Sequence, residues 1–219
     1  MQTIVGESLY GQRKRSRLNL ILNVVVAIFA VVLLGEVLFN SFFISIYVEG
    51  DSMLPTLIGA DDDRTAGGDY IFVNTHEQPD YGDIVVLFKE DNITGATYNI
   101  IKRAIAFGGD TVKMERGKLF LKKKGEADFT EIPEPYVAPE RNLPEKLSNS
   151  FAEHTVEEGC IFLLGDNRNE SHDSRADGDY PIGRLVGVAP QWAIDNKGTI
   201  TGLYTFFKFT LPGFLGFRR

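Results

Sequence analysis

The sequence predicts a mainly β chain behind a single N-terminal transmembrane helix, and two patterns predict it. One apolar run, residues 20–39, is long enough to cross a bilayer. Beyond it, short β-branched and aromatic runs recur between turn residues, with no sustained helical period.

The anchor comes first. Its twenty residues include the unbroken apolar stretch 24–34, and at about 1.5 Å per helical residue they span roughly the 30 Å of a hydrocarbon core. Arg13, Lys14, Arg15 and Arg17 lie just before it, and Glu49 and Asp51 follow soon after. That asymmetry places the N-terminus in the cytoplasm and everything beyond Phe43 outside. A cleaved signal peptide shares the basic-then-apolar order but needs small residues in an A-x-A-like pattern, and Gly35-Glu36-Val37-Leu38-Phe39-Asn40 offers none. Glu36 lies near the outer end of the span, where a carboxylate reaches the headgroups.

The strand candidates are residues 70–73, 83–88, 99–105, 111–114, 118–121 and 160–164. Gly-Asp pairs at Gly68-Asp69, Gly82-Asp83, Gly109-Asp110 and Gly165-Asp166 suit tight turns at their ends, and Arg116-Gly117 suits a hairpin turn. Residues 133–158, rich in Pro and Glu, read as a long surface excursion. The expected organisation is therefore a cytoplasmic basic segment 1–17, an anchor 18–43, an extracytoplasmic domain 44–202 and an aromatic tail 203–219 that rests at the membrane interface or packs on the β domain.

Composition removes several classes of function. The net charge of −7 and the absence of a long Lys/Arg block give no footprint for nucleic acid. Cys160 is the single cysteine, so no intramolecular disulfide can close, and with only three histidines there is no spaced zinc set. Chemistry must come from a side chain such as serine, provided another group accepts its proton.

Ser52 sits a few residues past the anchor in Glu49-Gly50-Asp51-Ser52-Met53-Leu54-Pro55-Thr56-Leu57, where Gly50 admits a second backbone and Pro55 holds Leu54 extended. On that string alone a turn serine is the plainer reading. A base is available on the strand 98–106: alternation puts Lys102 on one face with Ile100, Ala104 and Ala106, and Arg103 on the other. Lysine becomes a base only when desolvation lowers its pKa, and arginine stays charged. The plainer alternative is a Lys102 that snorkels from a strand end beside an Arg103 paired with a surface acid. The third segment, Gly165-Asp166-Asn167-Arg168-Asn169-Glu170-Ser171-His172-Asp173-Ser174-Arg175, packs polar groups densely after an apolar run, as a hydrogen-bonded loop does.

Together these segments resemble the bacterial type I signal peptidases, membrane-bound Ser/Lys proteases. Gly50 to Leu57 is similar to the nucleophile segment, Lys102-Arg103-Ala104-Ile105-Ala106 with Gly109-Asp110 to the base segment, and residues 165–175 to the G-D-N-R-x-x-S-x-D-S-R segment. Tyr81-Gly82-Asp83-Ile84-Val85-Val86 resembles the strand between the first two. The likeness covers most of residues 44–192, in order and behind an anchor. It implies an antiparallel, barrel-like β catalytic domain with Ser52 as acylated nucleophile and Lys102 as neutral general base. It further implies that Ser171 orients the Lys102 amine, that Asp173 pairs with Arg103 and Arg175, and that Met53 packs beneath the site. The Ser52 N–H would serve the oxyanion.

The expected substrates are signal peptides of exported preproteins with a small residue before the scissile bond. Lipids and the export machinery are the expected neighbours, and no cofactor or metal is implied. Two departures stand out: Gly50 occupies the place where some members have a serine, and residues 58–67 form an insertion containing Asp61-Asp62-Asp63-Arg64. Rival readings are an inactive or specialised membrane-tethered peptide-binding paralogue, a self-cleaving repressor, for which a DNA-binding domain is missing, and a Ser/His scheme using His172.

Overall fold

A computed structural model describes residues 2–60, 67–90 and 94–207, with side chains from residue 17 on. The core of the acidic insertion, the sequon at Asn92 and the tail beyond Phe207 lie outside the described residues. The chain divides into two units, Met1–Phe43 and Ile44–Arg219.

The first unit is helix α1 (Gln2–Phe42). Its segment Arg17–Phe42, 26 residues, is by length and composition long and apolar enough to cross a membrane.

The second unit holds eleven strands among its described residues: β1 (Phe43–Tyr47), β2 (Tyr70–Asn74), β3 (Ile84–Glu90), β4 (Thr97–Phe107), β5 (Thr111–Glu115), β6 (Lys118–Lys122), β7 (Thr130–Glu131), β8 (Phe151–Thr155), β9 (Cys160–Leu164), β10 (Tyr180–Pro181) and β11 (Leu185–Ala189). Its helices are α2 (Ser174–Asp177), α3 (Gln191–Asp195) and α4 (Lys197–Thr205). One sheet runs β1-β2-β11-β3-β4-β9-β10 and the other β7-β6-β5-β8. The pairings are antiparallel, from β3 with β4 to β5 with β6. Each sheet ends in edge strands, so the barrel-like closure expected from the sequence is not seen among the described residues.

The packing explains the sequence pattern. Ile84 and Val86 enter one core with Met53, Leu57, Ile71 and Ile101, while Val85 and Leu87 enter another with Ala104, Ile161 and Leu163. Strand β3 is buried on both faces, which is why it reads as a continuous apolar run. A third core joins the sheets through Ile105, Ala106, Phe162 and Leu164 against Val112, Met114, Leu119 and Leu121. Each such buried Val, Leu, Ile, Phe or Met side chain contributes about 1.5–3 kcal/mol. A bulge in β4 between Ala104 and Ala106 shifts the register against β9. It turns Ala106 into the third core beside Ile105, so Ala106 does not share the environment of Lys102 as strict alternation predicts.

The β5–β6 hairpin turns through Arg116 and Gly117, both at positive φ, 50° and 80°, with Glu115 opposite Lys118. Those angles fit the two-residue type I′ connection. Residues 133–158, expected to be a long surface excursion, contain β8, whose largely exposed Phe-Ala-Glu-His-Thr sequence carries little apolar alternation.

Candidate active site

Ser52 is presented by a turn. Leu54 N–H donates to Asp51 O at 3.2 Å and Leu57 N–H to Met53 O at 3.0 Å. Met53 and Leu57 are buried at 1% and 0% exposure. The two apolar anchors pin the turn, and Ser52 is left half-buried at its rim. Leu54 therefore lies in a turn rather than the extended segment expected before Pro55. A second backbone does run alongside, since Gly50 N–H donates to Ala60 O at 3.1 Å. Ala60 belongs to the acidic insertion 58–67, whose first residue is tied to the chain just after it by Asp69 N–H on Ile58 O at 2.9 Å.

Lys102 comes from β4, opposite Val85 of β3. It is 5% exposed. Its Nζ donates to Ser52 Oγ at 2.8 Å and to Ile101 O at 3.0 Å. Burial pushes the amine down from 10.5 to about 8; Asp173 and other carboxylates oppose the shift without cancelling it. A serine hydroxyl beside a lysine of lowered basicity is the arrangement of a nucleophile and its base.

The third segment surrounds this pair. Asn167 N–H donates to Ser52 O at 3.0 Å and its side-chain amide to Asp51 O at 3.0 Å. Gly165 N–H donates to Asp173 Oδ2 at 3.0 Å. A Cβ at Gly165 would lie 2.4 Å from Ser52 O and 2.2 Å from Ser171 Oγ, so only glycine lets the loop approach this closely. Asp173 is paired with Arg175, Nε to Oδ1 at 2.8 Å and Nη2 to Oδ2 at 2.9 Å. Burial alone would raise the Asp173 carboxyl, but Arg175 and the Gly165 N–H hold it below the usual range.

Two expected contacts are replaced. Arg103 pairs with Asp166, not Asp173: Nε reaches Oδ1 at 2.8 Å and Nη2 reaches Oδ2 at 2.6 Å, while Nη1 donates to Gly82 O at 2.6 Å. Adjacent residues of a strand point to opposite faces, and Asp173 bears on Lys102; Arg103 finds the other aspartate of the loop. The Ser171 hydroxyl is buried and bears on Asp173, whose carboxyl it helps to hold low, rather than on the Lys102 amine. The Lys102 amine is held instead by Ser52 Oγ and Ile101 O. His172 is well exposed, with its Nε2 2.8 Å from Asp177 Oδ1, and it is not brought to Ser52.

Sequence reading missed Thr56, which donates to Asp166 Oδ2, and the buried pairing of Arg168 with Glu134. No local pattern announces either, although the polar density of 165–175 marks the loop in which half of each contact resides.

A cleft of about 610 Å³ leads to the pair, lined on one side by residues 45–50 and on the other by Tyr98, Asn99, Ile100 and Ile101, with Ser52, Met53 and Lys102 also at its wall. The ladder of β4 with β9 begins only at Arg103. Residues 98–102 thus turn an unpaired strand edge toward the cleft, as an added strand would require.

Known proteins resemble this chain over most of its length. The family model described as signal peptidase, peptidase S26, matches residues 21–193. A protein named signal peptidase I from Streptococcus pneumoniae serotype 4 is 31% identical over 194 residues, covering 72% of this chain and 86% of its own. Signal peptidase I S from Bacillus subtilis strain 168 is 32% identical over 158 residues, covering 68% and 75%. A crystal structure of a signal peptidase I from Enterococcus faecalis V583 aligns with TM-score 0.40 and 28% identity over 52% of this chain and 98% of that one. With most of its length matched in this way, the chain belongs to the signal peptidase family, peptidase S26, as a bacterial type I member.

Proposed function

We propose that this serine endopeptidase cleaves the signal peptides of exported preproteins with Ser52 as nucleophile and Lys102 as general base. The observation that carries the reading is the 2.8 Å approach of Lys102 Nζ to Ser52 Oγ, made by an amine whose burial brings it to about 8.

An extended signal-peptide segment lies in the cleft and pairs with the free edge of 98–102, its small side chains accepted by shallow walls. In the neutral form Lys102 accepts the Ser52 proton as Oγ attacks the scissile carbonyl. The carbonyl π pair moves to oxygen, and the Ser52 N–H, which has no partner among the described residues, donates to that oxyanion; one such donor is worth about 3–4 kcal/mol. Lys102 then gives its proton to the departing amine as the C–N bond breaks. In the second half, Lys102 takes a proton from water, the hydroxide adds to the ester, and Ser52 leaves with the proton returned to Oγ. Asp173, Arg103, Arg175, Ser171 and Met53 are supporting residues: they hold the loop, the strand and the turn that carry the two reacting groups.

Residues 18–43 anchor the chain in the cytoplasmic membrane as a single span with residues 1–17 in the cytoplasm, because the basic cluster precedes the span. The catalytic domain, 44–202, then works at the outer surface, with lipids and the export machinery as neighbours. Sharing a plane with the emerging signal peptide raises its effective concentration. Of the aromatic segment 203–219, Tyr204 stacks on Tyr70 of β2 with ring centroids 3.9 Å apart, so its described start packs on the β domain.

The test is cleavage of a precursor bearing an Ala-x-Ala signal peptide by the detergent-solubilised full chain. Wild type should cleave, and Ser52→Ala and Lys102→Ala should be inactive though folded. Cleavage that survives Ser52→Ala would remove the proposed nucleophile.

A further inference from the structure

Two side chains of the 133–158 segment are placed as no surface excursion requires. Glu134 accepts from both terminal nitrogens of Arg168, Nη1 to Oε2 at 2.9 Å and Nη2 to Oε1. Both side chains are buried, at 8% and 0% exposure. The Arg168 Nε donates to the Gly165 carbonyl at 3.0 Å, and Gly165 is the residue pressed against the Ser52 carbonyl. The same segment reaches the base strand. Tyr136 OH donates to Glu134 Oε1 at 2.8 Å. Its ring lies 3.7 Å from the guanidinium carbon of Arg103, the neighbour of Lys102.

We infer that Glu134 is a positioning residue for the reaction, setting the approach of Ser52 to Lys102 through Arg168 and Gly165 on one side and through Tyr136 and Arg103 on the other. This deepens the Ser52/Lys102 reading and rests on it. A fixed, bidentate carboxylate is suited to the task, because it orients the guanidinium plane and so the one nitrogen left for Gly165. A merely structural role predicts something different. Removing either half of a buried pair unfolds the chain in part, whereas replacing both halves with apolar groups restores stability, and activity would return with it.

The charges that bear most on Lys102 are Asp173, Lys89, Asp177 and Asp166; those around Glu134 are Arg168 and the Tyr136 hydroxyl. A change in the pH profile on replacing Glu134 therefore travels through geometry, by admitting water to the amine. The experiment compares full-length wild type, Glu134→Gln, Glu134→Asp and the double variant Glu134→Leu/Arg168→Met in detergent. It measures melting temperature and steady-state cleavage of an Ala-x-Ala precursor from pH 6 to about 9.5, with Ser52→Ala as control.

For Glu134→Gln and the double variant, kcat should fall about tenfold or more with KM within about twofold, as for a misplaced reacting pair. The rising limb of kcat should move to higher pH, and Glu134→Asp should recover part of both. Should Glu134→Gln fail to fold, the double variant and Glu134→Asp carry the test. A double variant that melts like wild type and has wild-type kcat and limb overturns the inference. If Ser52→Ala still cleaves, the nucleophile assignment has failed and the inference falls with it; if Ser52→Ala is inactive while the double variant is fully active, only the inference falls.

Discussion

Lys102 should make the enzyme active at the expense of its stability, and one pair of titrations reads both effects. Its amine is brought from 10.5 to about 8 by burial, so about a tenth is neutral at pH 7, against roughly one in 3,000 for an ordinary lysine. The kcat/KM for precursor cleavage should rise about tenfold per pH unit and level off above about pH 8. The stability effect has a definite sign. Between about pH 8 and 10.5 the unfolded chain keeps a proton that the folded chain has released, so stability rises with pH across that window and is lowest below it. At about 1.4 kcal/mol per unit, the deficit is about 3 kcal/mol at pH 7 and about 2 kcal/mol at pH 9. Replacing Lys102 with Met removes that deficit but also loses the bonds to Ser52 Oγ and Ile101 O, worth about 1 kcal/mol each. Lys102→Met should therefore be about 1 kcal/mol more stable than wild type at pH 7 and no more stable at pH 9. Urea unfolding of the full chain in detergent at the two pH values measures this beside the rate profile. An activity limb near pH 10.5, or a Lys102→Met variant less stable at pH 7 with no trend in pH, would refute the claim that burial makes this lysine a base.

Other substitutions separate the roles. Lys102→Arg, which stays protonated, should lose at least about a hundredfold in kcat/KM, whereas His172→Ala should stay within about twofold because that ring faces solvent beside Asp177. Gly165→Ala would drive a methyl into Ser52 O and Ser171 Oγ and should destabilise the chain by about 1–3 kcal/mol in thermal melts, with a larger loss of kcat than of KM. Leu147 is 91% exposed, so Leu147→Cys should react with a membrane-impermeant maleimide added outside intact cells; protection until the membrane is opened would reverse the proposed topology.

What the sequence revealed depended on whether the pattern was local. The anchor, β3, β4, the β5–β6 hairpin and β9 were legible because length, apolar runs and turn residues mark them within a few positions. Strand β1 was not, since Phe-Ile-Ser-Ile-Tyr follows the helix with no turn signal between. Helix α4 was hidden by two glycines and three threonines in nine residues, and only Ile200 is buried in it. At the site, alternation correctly separated Lys102 from Arg103, but meeting Ser52 across fifty residues of chain has no local signature and came from resemblance alone. The partner of Arg103 was misassigned for the same reason: Asp166 and Asp173 sit in one loop, and only the folded loop decides which faces which side of β4.

The position of Lys102 along β4 ties these findings together. On one side β4 is paired with β3 from Thr97, opposite Glu90, to Arg103, opposite Ile84, and on the other β9 joins only from Arg103 onward. Lys102 is thus the last residue before the sheet opens. A step deeper, at Ala104, a side chain is sealed between paired strands and could reach no nucleophile; several steps toward the open end, at Tyr98, it is 46% exposed and an amine there would stay charged. At the junction the backbone is fixed by one ladder, the side chain is dry, and the neighbouring edge is free. A peptide added to that edge continues the sheet where β9 leaves off, so its extended backbone is directed toward Ser52 without a separate positioning device. An imidazole would not be needed for this, because desolvation at the end of a paired strand lowers an amine toward the range in which histidine already serves as a base without burial.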